Sequence, residues 1–319
     1  MKIYKKVIIL LLILFINNKI LKGAVGAILN LNKDAKSSSL LYGDVANTTE
    51  IEGIRSNPAT IMNINSLSGI ISYENYLSVL DLIYGEILYP MKKFNLPINL
   101  RFGYTGMSPI EDISTGEELK FKEIYIGAGS GYKLPYNILA GGNINFLNVH
   151  YALYSASSIF LNAGLSYSRE LETISYNLLT FGVSLLNFGT SLKFLETNES
   201  LPTTLKAGFQ IVHNYFYKIY GGIEKNFNYN FTFYSIGIEY TPFTLISLRA
   251  SIGNNIEDNI IIKAGIGTSI KILKNLLTFD FTYIPMSVDK SMIFSLKFRT
   301  DFKEKNLKKK WNKMWDNES

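Results

Sequence analysis

The chain has 319 residues, of which 47% are apolar, 13% aromatic and only 18% charged, against about a quarter charged in an ordinary soluble domain. It has no cysteine and two histidines, His150 and His213. This excludes disulfides, thiolate metal sites, a cysteine nucleophile and a lipid-modified N-terminal cysteine, and it takes the usual ligand or base from most metal and triad chemistry. The formal charge of +6 sits at the ends: residues 1–27 hold five lysines and no acid, 300–319 hold six lysines against four acids, and the body between is at −1. A body without a basic stripe excludes nucleic acid as partner, and nothing in the composition asks for a cofactor.

Residues 1–27 read as an export signal: a charged start from Met1 to Lys6, the apolar run Val7 to Ile16, then a polar stretch ending in Gly23, Ala24, Gly26 and Ala27. The run is half the length of about 20 residues that a membrane-crossing helix needs. Cleavage is expected near Ala27, with Val25 at the third position back. A cleaved signal places the mature protein beyond the cytoplasm.

From residue 67 the chain breaks into segments in which apolar side chains alternate with small or polar ones, the period of a strand with two unlike faces. Ile98, Leu100, Phe102 and Tyr104 alternate with Asn99, Arg101, Gly103 and Thr105; Ile159, Leu161, Ala163, Leu165 and Tyr167 with Phe160, Asn162, Gly164 and Ser166. The same split recurs in Tyr234 to Tyr240, Phe279 to Tyr283 and Met292 to Arg299. The segments match the 9 to 11 residues, about, of a membrane-crossing strand, and the polar face carries Gly and Ser where a solvated face would carry Lys and Glu. The expected fold is therefore all-β, a transmembrane antiparallel barrel with its greasy face toward outer-membrane lipid.

Strands are expected near 67–75, 79–89, 97–106, 119–132, 136–149, 157–169, 174–187, 203–213, 216–227, 231–241, 244–253, 258–271, 276–284 and 290–300. Their number, fourteen, is even, as a single-chain bacterial barrel requires. Longer connections at 107–118, 150–156 and 188–202 follow odd-numbered segments and tight ones at Leu134-Pro135 and Thr241-Pro242-Phe243 follow even-numbered ones, which puts both barrel termini on the periplasmic side. The expected organisation is a signal peptide at 1–27, a segment at 28–66, the barrel at 67–300 and a basic periplasmic tail at 301–319.

Several segments resemble the PorV/PorQ branch of the FadL-like outer-membrane proteins. Tyr42-Gly43-Asp44-Val45-Ala46 followed by Ser56-Asn57-Pro58-Ala59 resembles that family's N-terminal stretch ending in Asn-Pro-Ala. Asn187-Phe188-Gly189, Leu201-Pro202, Leu205 and Gly208 resemble its Asn-x-Gly, Leu-Pro and strand sequence. Gly237-x-Glu239-Tyr240, Leu248-Arg249-Ala250 and Asp280 to Pro285 resemble its later strand motifs. The chain departs from the pattern at Thr60 and Ile61, where Gly-Leu is usual, at Asn47 and Thr48 in place of an acidic pair, and at Asn162 in place of Asp; Glu50 and Glu52 lie nearby but out of register.

The resemblance implies that 28–66 plugs the lumen, with Asn57, Pro58 and Ala59 as the plug motif, and that a hydrophobic, fatty-acid-like small molecule passes across the outer membrane. A segment that merely tethers the barrel is the other reading. Period-two alternation points Arg101, Glu239, Arg249, Asp280, Lys297 and Arg299 into the lumen. Glu239 and Arg249 sit on adjacent segments as a diagonal cross-strand pair; either they satisfy each other in the wall, or they line a route or grip the plug.

A rival function comes from relatives of the PorV type that carry or dock secreted proteins. Phe302, Leu307, Trp311, Met314 and Trp315 among the lysines of the tail suit a short amphipathic helix, with Trp311 and Trp315 as contacts for a membrane face or a periplasmic or secreted protein partner. An enzyme is not expected. His150 and His213 fall at opposite ends of the barrel and cannot share a site, and Gly127 to Gly131 lacks the Lys-Ser pair and helix of a phosphate loop.

Overall fold

The computed structural model describes residues 27–31, 34–91, 96–111, 118–171, 177–195, 197–214, 216–228, 231–243, 245–254, 260–272, 275–285 and 290–300. The expected signal peptide, apart from Ala27, and the tail with Trp311 and Trp315 lie outside them. The strands are β1 (Ser68–Tyr76), β2 (Leu80–Tyr89), β3 (Ile98–Glu111), β4 (Glu118–Lys133), β5 (Ile138–Tyr151), β6 (Tyr154–Leu171), β7 (Asn177–Gly189), β8 (Leu192–Phe194), β9 (Thr197–Glu199), β10 (Thr204–His213), β11 (Tyr217–Asn226), β12 (Phe231–Phe243), β13 (Ile246–Asn254), β14 (Ile260–Ile272), β15 (Asn275–Pro285) and β16 (Lys290–Arg299). All except β8 and β9 form one closed antiparallel barrel of 14 strands, each paired with its neighbours in sequence. Closure is made by β1 against β16, from Ser68 opposite Arg299 to Tyr76 opposite Ser291, so the barrel starts and finishes at one rim.

The alternation read from the sequence is the alternation of the wall. Leu100, Phe102, Ile159, Leu161, Ile236, Ile238, Phe279 and Phe294 are exposed on the outside, while Asn99, Arg101, Asn162, Ser166, Glu239 and Asp280 are buried inside. An aliphatic outer face on a closed barrel is stable only in an apolar medium, which sets the strands across the membrane; no described helix is long and apolar enough to cross one. Exposed tyrosines mark both edges of the apolar band: Tyr89, Tyr132, Tyr136, Tyr167, Tyr217 and Tyr240 toward the rim with the barrel ends, and Tyr73, Tyr234 and Tyr283 toward the other. Tyr217 and Tyr240 stack with centroids 4.8 Å apart. Such girdles suit the headgroup layer.

Strand lengths depart from expectation on one side. β6 has 18 residues and β1 has nine. The supposed long connection at 150–156 is a two-residue turn, with Ala152 at φ 51°, because β5 and β6 keep pairing out to Tyr151 opposite Tyr154. Likewise β3 and β4 run on to Glu111 and Glu118 within the expected connection at 107–118, and 188–202 contains the β8–β9 hairpin. The outward face of this extension is polar: Asn148 Nδ2 donates to Ser157 Oγ at 3.0 Å, His150 Nδ1 lies 2.8 Å from Ser155 Oγ, and Lys120 and Lys122 are exposed beside them.

The described residues between 27 and 66 pack inside the barrel. They form a string of short helical turns at 27–30, 35–40, 41–46, 53–56 and 58–63. Successive turns touch successive parts of the wall: 35–40 meets β12 to β16, 41–46 meets β7 and β10 to β13, and 58–63 meets β4 to β6. Inside a closed wall, backbone groups that water would satisfy must be satisfied locally, and helical turns do so within the segment.

Candidate functional site in the lumen

The inner segment is held at Asn57. Its Oδ1 accepts from Ala59 N at 3.1 Å, capping the turn that Pro58 opens. Its Nδ2 donates to Val45 O at 3.1 Å within the segment and to Leu165 O of β6 at 2.9 Å. The wall meets this backbone with glycines. Gly131, Gly141 and Gly164 stand in one cross-strand row, Gly182, Gly208 and Gly222 in another. A Cβ on Gly141 would run into Pro58 O, one on Gly164 into Asn57 Oδ1, and one on Gly222 into Tyr42 O. The glycines of the Gly127 to Gly131 run thus include one, Gly131, that permits close approach, in its case of Met62.

A second motif stitches the wall itself. Asn187 adopts φ 58° where the β6–β7 register shifts between Leu161 and Ala163. Its N–H donates to Asn162 Oδ1 at 2.6 Å, its Nδ2 to Pro202 O at 3.1 Å, and its carbonyl accepts from Thr203 Oγ1 at 3.1 Å. An amide at position 162 is sufficient for this job, since only its oxygen is used.

Across the lumen from Asn57 lies a charge network. Glu239 and Arg249 are directly opposite one another in register, not diagonal, with Arg249 Nε 2.6 Å from Glu239 Oε2. Arg249 Nη1 reaches Asp280 Oδ1 at 2.6 Å, and Lys297 Nζ reaches Asp280 Oδ2 at 2.9 Å. Lys218 adds a cation 2.7 Å from Glu239. The wall pair does more than satisfy itself: Lys36 of the inner segment sits 2.8 Å from Glu239 and 2.7 Å from Glu50, Glu50 lies 3.0 Å from Lys218 and 3.5 Å from Lys297, and Glu52 bonds Lys297. Four cations, Lys36, Lys218, Arg249 and Lys297, thereby face four carboxylates, Glu50, Glu52, Glu239 and Asp280. Buried charge is tolerated because each group has a partner of opposite sign, and Lys36, Glu50, Lys218, Glu239 and Lys297 tie the inner segment to the wall.

The two glutamates of the inner segment are unlike. Burial alone would raise the Glu50 carboxyl, but Lys218, Lys36 and Lys297 outweigh it and hold the group well below the usual carboxylate range. Burial pushes Glu52 up to about 7 despite the opposing Lys297.

Arg101 belongs to a separate cluster. Its Nε donates to Asn145 Oδ1 at 2.9 Å and its Nη2 to Asn143 Oδ1. A cavity of about 120 Å³ lies beside it, lined among others by Arg55, Tyr125, Lys206 and Glu224. Lys206 pairs with Glu224 at 3.0 Å, whereas among the described residues neither Arg55 nor Arg101 has a carboxylate within ion-pair distance. On its apolar side are Leu29 and Phe160, members of a buried cluster with Ile28, Leu147, Val149, Ala156 and, under the β8–β9 hairpin, Leu192. Arg299 is half-buried at the rim where β16 ends.

No family model matches the sequence, and no curated protein matches it. Among solved structures the chain is similar to the CymD monoaromatic hydrocarbon channel, with a TM-score of 0.57 and 10% identity over 85% of this chain and 98% of that one. It is similar to the P. putida toluene transporter TodX, with a TM-score of 0.56 and 10% identity over 83% and 99%. The TodX deltaS2S3 mutant monoaromatic hydrocarbon channel gives 0.54 and 10% over 88% and 99%. The likeness is one of fold.

Sequence reasoning picked out Glu239, Arg249, Asp280 and Lys297, which the barrel brings together, and Arg101, which it sets apart. It missed Lys36, Lys218 and the part played by Glu50 and Glu52. Lys218 was legible in principle, because Lys218 and Tyr220 alternate with exposed Tyr217 and Ile219. Lys36 stands in a short helix with no period to betray its face.

Proposed function

We propose that the protein is an outer-membrane conduit for hydrophobic small molecules carrying an anionic head, fatty-acid-like in character, in which residues 28–66 act as a plug. The observation that carries this reading is the junction of an apolar luminal cluster with a polar cavity bounded by two guanidinium groups, Arg55 and Arg101, that have no carboxylate within ion-pair distance among the described residues. An acyl chain suits the surface formed by Leu147, Val149, Ala156 and Phe160, and a carboxylate suits Arg55 and Arg101. A cavity of about 120 Å³ is far below the several hundred Å³ of a ligand pocket, so loading requires Ile28 and Leu29 to yield the apolar surface they now cover.

Uptake into protein-loaded vesicles tests this with labelled oleate and, in parallel, toluene. Oleate uptake should exceed that of empty vesicles and fall about tenfold in Arg101→Met, as loss of a charge-assisted hydrogen bond implies, while toluene uptake changes little. No uptake above empty vesicles would overturn the reading. A PorV-type docking role is favoured by one observation, the packing of the lumen around the inner segment. Under it, gently extracted protein carries a protein partner that is lost on deleting residues 300–319, and no stoichiometric acyl ligand.

A further inference from the structure

The backbone nitrogen of Ile28 lies 2.7 Å from Glu123 Oε2. Both residues are buried, each at 1% exposure. Glu123 points inward from β4 in one cross-strand row with Thr105 and Val149, and Ile28 packs in the apolar cluster with Tyr125, Leu147 and Phe160. Ile28 is also the residue that follows Ala27, where the sequence places the end of the export signal. Two independent lines, the spacing of small residues and the placement of a buried carboxylate, thus meet at one bond.

We propose that Ala27–Ile28 is the processing site and that Glu123 receives the new α-ammonium of Ile28. An export-linked peptidase adds water across the amide. The C–N bond breaks, Ala27 departs with its carboxylate, and the Ile28 nitrogen takes up protons to become an ammonium. An amide N–H offers a carboxylate one donor and a partial charge; an ammonium at the same place offers three donors and a full charge. In surroundings as apolar as this cluster, that difference favours the processed chain. The mature chain therefore begins inside the barrel, its first atom fastened to β4, while Asn57 fastens the segment further along. The inference rests on the proposed export of the protein, not on what it passes.

The test uses mature protein extracted as the folded barrel. Intact mass and N-terminal sequencing are expected to give a chain beginning at Ile28. Reductive dimethylation of its α-amine is expected to run at least tenfold slower in the folded than in the unfolded protein, with a half-labelling pH above the ordinary α-amine value of about 8. Glu123→Gln should return the labelling rate to within about threefold of the unfolded control, in a barrel shown to be folded by heat-modifiable migration. If that variant does not assemble, the half-labelling pH of the unaltered protein decides: a value at or below about 8 overturns the inference. A chain that retains residues 1–27 overturns the export reading and the inference together. A mature start at another residue, or an Ile28 amine labelled equally fast folded and unfolded, overturns the inference alone.

Discussion

Replacing Asn57 with alanine removes three hydrogen bonds from a side chain that is fully buried: to Val45 O, to Leu165 O and from Ala59 N. At about 1 kcal/mol net for each, the inner segment loses about 3 kcal/mol of its hold, roughly 150-fold in the balance between seated and released forms. The chain has no cysteine, so a single thiol reports on that balance. Ser38 suits the purpose, being fully buried with an Oγ that lacks a partner among the described residues. In Ser38→Cys protein, maleimide labelling under native conditions should be slow, and adding Asn57→Ala should speed it about 100-fold without loss of heat-modifiable migration. Asn57→Asp should speed it further, because a carboxylate oxygen would face the carbonyls of Val45 and Leu165. Labelling that rises less than about threefold in the alanine variant would refute the view that this amide holds the segment.

Two further outcomes follow from the charge network. Glu239→Ala and Arg249→Ala should each cost several kcal/mol in denaturant unfolding, by stranding buried partners, while the double variant costs less than their sum by about 1 to 3 kcal/mol; additive losses would show that the pair does not interact. Glu52 supplies a pH dependence. Its folded value of about 7 lies above its ordinary value, so the folded protein binds the proton more tightly than the unfolded one, and stability falls as pH rises from about 4.5 through 7, by about 3 kcal/mol at most. Lys297, Glu50, Lys36 and Asp34 are the charged groups that bear on it. Glu52→Gln should flatten that window in unfolding titrations; an unchanged slope would assign it elsewhere.

Fold and strand boundaries were legible because a membrane wall writes its two faces into the sequence with period two, and a one-residue slip would turn Phe102 inward and Arg101 into lipid. The expected split between 203–213 and 216–227 lies within a residue of β10 and β11 for that reason. The connections were harder. His150 and Ser155 fall between the expected strands at 136–149 and 157–169, and polar side chains at Asn148 and Ser157 gave no sign that the ladder continues until the hydrogen bonds across the β5–β6 pair are seen. Within the lumen the failure was of another kind: Glu50 and Glu52 were visible only as carboxylates out of a family register, and their role depends on Lys218 and Lys297 arriving from strands far along the chain. The glycines carried a readable signal, since small residues on the inner face of a wall leave room for something inside it.

The unequal strand lengths give the barrel a direction. With 18 residues in β6 and nine in β1, the wall is longer on one side by about 30 Å of chain, and by roughly 20 Å in height at an ordinary tilt. Part of that excess lies at the rim with the barrel ends, where β6 runs past Tyr167 opposite Ile138 to Leu171 opposite Asn177; at the other rim the rest ends in a polar exterior and a greasy interior, roofed by Leu192 and Phe194. Such a mouth is a scoop, with a low sill at β1 and β2 and a high back at β4 to β6. Under the proposed conduit role, molecules gliding along the membrane surface meet sill or back according to the bearing from which they come, so rotation of the barrel in the plane of the membrane, of no consequence for an upright cylinder, becomes a variable in capture.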